Sequence, residues 1–371
     1  MFATSRRLLA LLLALATVAA ACADDEPAAT EDTSDGASTD EDRCAANQAA
    51  GTITYVSGFD FAASPGIIDV VVAEAEGYFD EMCLDVELMG GFAPSNGPLV
   101  AAGQAQMSAA SSFGEMVNNN VNGDADLVAV GQLGHTGVEA LVVPADGAIA
   151  ELTDLPGTTV GIKGDLPYTI QSMLGLAGVE RGTFDEVLLE GFDPIAHLEL
   201  DIDALPVYKS NEPGQLDAAG IDYVLFDPVD YDVPASFGVY FTSASFLAEH
   251  PTAVEDFVRA ALRGFQFSLD DPDAAVAHAF ERIEAAGNPA FLFAESEAFR
   301  WGVESALVTD HTPDGLGYGQ IDAAGLAEEV ALLTQVGVFD AEPDTASMID
   351  TSVVDGLYDG TELIWPGPAG E

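Results

Sequence analysis

The stretch GIIDVVVAEAEGYF (66–79) and the segment LDVEL (84–88) that follows it indicate the class of fold. Apolar residues recur at helical spacing in the first segment, at Ile67, Ile68, Val71, Val72 and Ala75. Gly77 then supplies a signal for the helix to end. In the second segment apolar and acidic residues alternate, which is typical of a strand with one buried face. A helix followed at once by such a strand predicts an α/β arrangement.

The same alternation continues on both sides of this stretch. TITYV (52–56) has the composition of a strand, and helical patterns separate most of the later apolar segments. Those later segments, each short enough for a strand, are 106–110, 127–131, 140–143, 158–162 and 223–226. Alternating strands and helices predict α/β sheets with mainly parallel pairing.

The chain changes character after Phe241. Segment 251–269 places its apolar residues on one helical face, and Asp271 followed by Pro272 is typical of the start of another helix. Further helical patterns lie near 290–307 and 322–335. The last third of the chain is therefore predicted to be mostly helical.

The charge balance restricts the class of partner. Ten Lys and Arg residues oppose 63 Asp and Glu residues, and the two lysines are Lys163 and Lys209. Nucleic acid is excluded as a partner, because phosphate binding needs a basic face. An anionic membrane surface is disfavoured for the same reason. An acidic, lysine-poor composition is typical of proteins that work in strong salt, where self-repulsion is screened.

The first 22 residues indicate export. Arg6 and Arg7 precede an apolar run at 8–18, and three alanines lead to Cys22. This layout is typical of a signal peptide over residues 1–21 and is too short to span a membrane. A cysteine after small residues resembles the bacterial lipobox. Cys22 is therefore predicted to be lipidated and to hold the chain on the extracytoplasmic face of the cell membrane, with secretion without a lipid as the alternative.

The segment after the signal predicts a disordered, acidic tether over residues 22–50. Residues 23–43 contain no aromatic side chain, and such a segment buries too little apolar surface to order itself. With Cys22 lipidated, Cys44 and Cys83 remain, and export favours their oxidation to a disulfide. Two free thiols are the alternative.

No catalytic motif is present in the sequence. It contains no G-x-S-x-G elbow, no H-E-x-x-H pair and no phosphate-binding P-loop. The sequence therefore predicts no cofactor, no metal site and no enzymatic activity, and an extracytoplasmic enzyme is the less favoured alternative.

Several aromatic and polar residues follow predicted strands, where α/β proteins bind ligands. The aromatic candidates are Phe59, Phe61, Phe113 and Tyr168. The polar and mixed candidates are Asn211, Glu212, Asp227 and Tyr231. For each aromatic residue, burial in the core is the competing interpretation. For the turn before Pro213, the competing interpretation is simple helix capping. Lys163 is expected to be exposed to solvent.

The order of five segments resembles a known family, the ABC-transporter substrate-binding proteins for thiamine-pyrimidine precursors, riboflavin, taurine, alkanesulfonates and nitrate. The segments are EAEGYFDEMCLDVEL (74–88), LVAAGQAQMSAAS (99–111), LTDLPGTTVGIKG (152–164), YKSNEPGQLDAAGIDYVLFDPVDY (208–231) and FLAEHPTAVEDFVRAALRGFQFSLDDPDAAV (246–276). The fourth segment is most similar to the thiamine-precursor branch, which has an Asn-Glu-Pro motif. The resemblance covers roughly residues 52–285. Related thiamine-pyrimidine synthases use a cysteine-rich motif that this chain lacks.

The resemblance implies an α/β, two-lobed periplasmic-binding-protein-like fold of type II with a ligand cleft between the lobes. Lobe one would comprise residues 51–140 and 241–371, and lobe two residues 141–240. The two lobes would close on the ligand by hinge motion. A chain of this kind would act as a monomer and hand its solute to an ABC transporter permease.

The expected ligand is a small aromatic heterocycle, with a thiamine-pyrimidine precursor favoured and riboflavin or a sulfonate such as taurine as alternatives. Glu212 and Asn211 would read the polar edge of the ring, because a carboxylate accepts hydrogen bonds from amino groups. A sulfonate would instead require cationic side chains or several closely spaced N–H donors, and this chain has few cationic residues.

Overall fold

The computed structural model of the protein describes residues 36–191, 193–287 and 294–366. The predicted signal peptide, Cys22 and the tether up to residue 35 lie outside these ranges. None of the helices in these ranges is long and apolar enough to cross a membrane.

Twelve strands lie in the described ranges. In chain order they are β1 (Thr52–Val56), β2 (Asp85–Met89), β3 (Met107–Ala110), β4 (Leu127–Gly134), β5 (Glu139–Pro144), β6 (Thr159–Ile162), β7 (Asp185–Leu188), β8 (Leu205–Tyr208), β9 (Tyr223–Phe226), β10 (Phe237–Ser243), β11 (Tyr358–Asp359) and β12 (Glu362–Leu363). The strands predicted from apolar segments are all present, with ends shifted by three residues or fewer.

Fourteen α-helices accompany the strands in the same ranges. They are α1 (Gly36–Ala49), α2 (Ile68–Ala75), α3 (Tyr78–Glu81), α4 (Ala93–Ala101), α5 (Phe113–Gly123), α6 (Tyr168–Leu176), α7 (Pro194–Leu198), α8 (Glu212–Ala219), α9 (Ala244–Glu249), α10 (Pro251–Asp270), α11 (Pro272–Ala285), α12 (Ala294–Thr309), α13 (Ala323–Gln335) and α14 (Thr351–Asp355). Six of them follow Phe241, so the mostly helical last third is confirmed.

The first sheet has the strand order β2-β1-β3-β10-β4. Strands β1, β2 and β3 are parallel, and β10 runs antiparallel to its neighbours β3 and β4. Val56, Met89, Ala110 and Gly134 therefore end at one edge, where β10 begins at Phe237. We call this edge the cleft edge, because the connections to the second sheet leave from it.

The second sheet is built around β5, which pairs antiparallel with β8 and β9. The parallel pair β6–β7 joins it through a bridge between Val160 and Ala204. Residues 135–138 and 227–236 connect the two sheets. The lobe boundaries at residues 140 and 240 remain a prediction.

The expectation of mainly parallel pairing was wrong. Antiparallel pairs outnumber parallel ones among the described strands. The reason is the double connection between the sheets. Strand β10 returns from the second sheet and enters the first at the cleft edge, so it runs opposite to the strands that end there.

Helix α10 packs closely across α2 beneath the first sheet. Its predicted apolar face is buried, and Phe257 stacks between Tyr55 and Phe79 with ring centroids 5.6 and 5.1 Å away. Gly264 permits the close approach, because a Cβ there would lie 2.1 Å from the carbonyl oxygen of Asp69. The core beneath the first sheet thus depends on a close helix–helix contact. A residue larger than glycine at position 264 would force the two helices apart.

The predicted tether is ordered over its last part. Residues 36–49 form α1, and the Arg43 guanidinium donates two hydrogen bonds of 2.7 Å to Asp256 on α10. Asn47 donates to the same carboxylate at 2.6 Å and to the Met82 carbonyl at 2.9 Å. Composition predicted disorder because it cannot register such tertiary contacts. The folded body therefore begins no later than this helix.

A disulfide joins α1 to the loop before β2. Cys44 and Cys83 are bonded, with their Cα atoms 5.3 Å apart. Cys83 has a φ of 56°, so the loop turns sharply at the bonded residue. The predicted pairing of these two cysteines is present in the structure.

Candidate functional site

The cleft edge brings an aromatic pair together from the two sheets. Phe59 follows β1, Tyr208 ends β8, and their rings meet edge to face with centroids 5.3 Å apart. Such pairs contribute about 0.5–1.5 kcal/mol beyond the area that they bury. Phe59 thus lies where the sequence predicted a ligand contact, and Tyr208 lies at the start of the loop that carries the predicted contacts Asn211 and Glu212.

A small cavity lies against Phe59 of this pair. Its volume is about 40 Å³, and it is bordered by Phe59, Ser111, Phe237, Asp69 and Glu304. These residues come from strand ends of the first sheet and from α2 and α12. The cavity therefore has apolar walls with two carboxyl groups, which is the mixed lining that small-molecule sites have.

Tyr168 is the first residue of α6 and is half-buried. Burial raises the pKa of its hydroxyl to about 12, and the nearby charge of Glu115 adds to the effect. Glu115 lies on α5, on the side of the first sheet. The predicted contact Tyr168 therefore faces the same place between the sheets as Phe59 and Tyr208.

Glu212 is buried, with 1% of its surface exposed, and its two oxygens are engaged within the chain. Lys163 donates to one oxygen, and the Tyr208 backbone N–H donates to the other at 2.9 Å. Lys163 is therefore not the exposed residue that we expected, because a buried carboxylate holds its ammonium group. In this arrangement Glu212 fixes the loop that carries Tyr208.

Asn211 is tied to α12 across the cleft edge. Its side-chain oxygen accepts hydrogen bonds from Arg300 at 2.6 Å and from Gln215 at 3.0 Å. The next turn of α12 contributes Glu304, which accepts a hydrogen bond from the Ser210 hydroxyl. The 208–212 loop is thus held from both sides of the cleft.

Asp227 and Tyr231 lie on the second crossing between the sheets. Asp227 accepts from Lys209 at 2.7 Å and from the Val229 backbone N–H at 3.0 Å. Tyr231 is half-buried and packs against the core of the second sheet. Both residues follow a strand, as predicted, and their role as ligand contacts stays a prediction.

Two predicted aromatic contacts lie away from the aromatic pair. Phe113 is fully buried at the start of α5, and its backbone N–H donates to the Ser236 hydroxyl at 2.9 Å. Phe61 lies 4.2 Å from the Arg282 guanidinium, which covers its ring. Proximity to a strand end does not determine which way a side chain turns, so the sequence could not separate these two from Phe59.

Five buried carboxyl groups surround the same region, and sequence reasoning did not single out any of them. They are Asp69 on α2, Glu115 on α5, Glu139 on β5, Glu304 on α12 and Glu329 on α13. We call these five residues the carboxyl cluster. In a chain with 63 acidic residues, spacing along the sequence could not distinguish them from surface carboxylates.

The carboxyl cluster is bonded to hydroxyl and backbone N–H groups. Glu139 accepts from the Thr169 hydroxyl at 2.8 Å, and Glu329 accepts from the Ser236 hydroxyl at 2.6 Å. Glu115 accepts from the Ser111 backbone N–H at 3.1 Å. Among the residues that the structure describes, none of the five forms an ion pair.

Burial raises the pKa of every member of the cluster. The pKa rises to about 7 for Glu115, Glu139, Glu304 and Glu329, and to about 6 for Asp69. The charge of Glu139 raises the pKa of three other members as a secondary cause. The groups are therefore close enough to interact electrostatically, and each needs a proton or a cation to offset the cost of its burial.

No group of three His, Cys, Asp or Glu side chains in the described ranges is placed to hold a metal ion.

Comparison with known proteins identifies relatives that bind small molecules. The formylaminopyrimidine-binding protein of Halalkalibacterium halodurans is 27% identical over 232 residues, which cover 61% of this chain and 70% of that protein. The riboflavin-binding protein RibY of Chloroflexus aurantiacus is 33% identical over 135 residues, which cover 34% of this chain and 37% of that protein.

A solved structure supports the fold. The periplasmic aliphatic sulphonate binding protein SsuA from Escherichia coli superposes with a TM-score of 0.61 at 14% identity, covering 86% of this chain and 97% of that one. The expected periplasmic-binding-protein fold is therefore confirmed. A family model described as NMT1/THI5 like matches residues 64–275, more than half of the 371 residues. The chain belongs to the NMT1/THI5-like family.

Proposed function

We propose that this protein is an extracytoplasmic solute-binding lipoprotein that delivers a small amine-bearing aromatic heterocycle to an ABC importer. A thiamine-pyrimidine precursor is the favoured ligand. The family and the fold support the binding role, and the formylaminopyrimidine-binding relative supports the class of ligand. The proposed activity is binding and release without chemical change.

The observation that carries the choice of ligand is the placement of aromatic rings beside carboxyl groups. Phe59, Tyr168 and Tyr208 offer ring contacts, and Glu139 and Glu304 offer acceptors for amino groups. A sulfonate would be repelled by these carboxylates and would want cationic donors. The two lysines of the chain are instead bonded to Glu212 and Asp227.

Ligand entry requires movement in this arrangement. The cavity of about 40 Å³ is far below the roughly 300–1,000 Å³ of drug-sized ligand sites. The Phe59–Tyr208 contact and the Asn211–Arg300 hydrogen bond span the cleft edge, so we expect both to part when the sheets separate. Opening and closing about residues 135–138 and 227–236 would then admit and enclose the solute.

The direct test is to identify the solute that the protein carries. Protein purified without denaturation would be unfolded, and the released compounds identified by mass spectrometry. Calorimetry with an aminopyrimidine, riboflavin and taurine would then rank the three classes. We expect tight binding of the aminopyrimidine with one ligand per chain. Tight binding of taurine alone would overturn the ligand class, and turnover of the bound compound would overturn the binding role.

The proposed lipid anchor at Cys22 has its own test. Two acyl chains hold a protein stably on a membrane, whereas one holds it only marginally. Changing Cys22→Ser should release the protein from the membrane fraction into the medium. Ala20→Ser, which leaves the cysteine in place, is the control and should stay membrane-bound. A wild-type protein found in the medium with an unmodified Cys22 would refute the anchor.

A further inference from the structure

The charge of the carboxyl cluster has consequences for the ligand. Glu115 and Glu304 approach from helices packed on the first sheet, whereas Glu139 begins the central strand of the second. Burial removes water from all three side chains. Glu139 is paired with Tyr208 between β5 and β8, and Glu304 accepts a hydrogen bond from Ser210 in the loop after β8. Glu115 accepts from the backbone N–H of Ser111, which lines the cavity together with Glu304. When ionised, these groups repel one another in the closed cleft.

The cations nearest this cluster are already committed to other carboxylates. Lys209, whose positive charge acts to lower the pKa of Glu139, donates a hydrogen bond to Asp227 at 2.7 Å. Lys163 donates to Glu212. Each lysine thus offsets a carboxylate outside the carboxyl cluster. When the cluster is ionised, the region between the sheets therefore holds an excess of negative charge.

Aromatic side chains lie beside the same carboxyl groups. Phe59 and Tyr208 form the edge-to-face pair, and Tyr168 lies beside Glu115. Ring faces attract cations, and the attraction grows as water is removed from the site. Carboxylates and ring faces together favour a flat cation over a neutral ring of the same shape.

We infer that the solute of this cleft carries a positive charge at neutral pH, and that it is a small flat nitrogen heterocycle with a cationic amine. The inference rests on the proposed function for the cleft and for the heterocycle, and it adds the positive charge of the ligand. Glu139 and Glu304 are its expected partners, because Glu139 is paired with Tyr208 and Glu304 accepts a hydrogen bond from Ser210, two residues further along the same loop.

A cationic solute also explains how closure becomes dependent on ligand. Closing the empty cleft brings ionised carboxylates from α5 and α12 toward Glu139, which costs free energy unless protons are taken up. A cation replaces those protons and removes the repulsion. We therefore expect the solute to release protons from the cluster when it binds.

Charged and titratable groups also face the cluster from the elements packed against it. They are Tyr168, Tyr208, Lys163, Lys209 and Glu212.

A matched pair of probes tests the charge directly. The compounds are 4-amino-5-aminomethyl-2-methylpyrimidine, which is cationic, and 4-amino-5-hydroxymethyl-2-methylpyrimidine, which is neutral and nearly isosteric. Calorimetry on the whole mature chain at pH 7.5, in two buffers with different ionisation heats, would report affinity and proton release. We expect the cationic probe to bind about tenfold more tightly or better, because bonds to charged groups are the stronger ones. Proton release should accompany this probe alone.

Variants separate the cluster from the fold. Glu139→Gln and Glu304→Gln remove the negative charge and keep the shape and one acceptor oxygen, so each should weaken binding of the cationic probe about tenfold more than binding of the neutral probe. Glu186→Gln removes a carboxylate from β7, where it pairs with Arg181, and should change neither affinity. If a cluster variant fails to fold, the ratio of the two probes on the wild-type chain still decides.

Each failure has a distinct meaning. Equal or tighter binding of the neutral probe would overturn the cationic solute and leave the proposed heterocycle binding intact. Binding of taurine or riboflavin with neither probe bound would overturn the proposed ligand class and this inference with it. Stabilisation by millimolar Ca²⁺ or Mg²⁺ that blocks the cationic probe would overturn the organic cation in favour of a metal ion.

Discussion

Glu212 illustrates how one residue can suit two interpretations until its neighbours are known. An Asn-Glu-Pro turn is equally suited to a ligand loop and to a helix start, and the sequence left both open. The structure gives Glu212 an ammonium partner and a backbone partner, Lys163 and the N–H of Tyr208. Its role in orienting Tyr208 follows from those two bonds.

Changing Glu212→Gln should therefore lower the stability of the protein. The substitution leaves Lys163 without its counter-charge in a part-buried position, and loss of such a charged partner costs about 1–3 kcal/mol. Denaturant unfolding would measure the change. Glu186→Gln, at a more exposed ion pair with Arg181, is the control and should cost less than about 1 kcal/mol. Unchanged stability together with lost solute binding would restore the direct ligand role.

Helix α1 shows that an element can depend on partners that composition does not reveal. Its sequence is polar and lacks aromatic residues, yet Arg43 and Asn47 bind Asp256 of α10 and Cys44 is bonded to Cys83. These contacts are far apart along the chain. Local periodicity could predict the long amphipathic α10 but could not predict a polar helix held by contacts along its second half.

The disulfide should contribute a measurable share of the stability of this element. The bond closes a loop with a sequence separation of 39 residues, which corresponds to about 4 kcal/mol in the chain-entropy treatment. Cys44→Ser with Cys83→Ser should lower the free energy of unfolding by up to that amount. Reductant should destabilise the wild type and leave the double variant unchanged. Two reactive thiols in denatured, unreduced wild type would show that the bond does not form.

For the whole molecule, the carboxyl cluster makes stability depend on pH. The pKa of each cluster member is higher in the folded chain than in the unfolded one, so the folded state binds more protons. The resulting stabilisation is complete below about pH 4.5 and is lost as the pH rises through about 7. One pKa unit corresponds to 1.36 kcal/mol, so a single glutamate shifted to about 7 accounts for roughly 3 kcal/mol at most.

The free energy of unfolding of the solute-free protein should therefore fall between pH 5 and pH 8. Unfolding by denaturant at fixed high salt, which screens the acidic surface, would measure it. A chain with Glu139→Gln and Glu304→Gln should show a shallower fall, since glutamine does not titrate. A wild-type profile that is flat or rises over this range would show that the cluster is not protonated in the folded state.

The sequence alone determined the α/β class, most strands, the helical last third and the candidate position of the ligand cleft. These follow from spacings of two to four residues and from the short segments that resemble the family. Only the tertiary structure decided which side chains meet. Glu115, Glu139 and Glu304 are separated by long stretches of chain, and they converge because the two connections between the sheets bring their elements to one edge. Local patterns carry no information about such distant contacts, because burial and charge at a site depend on the elements that pack around it.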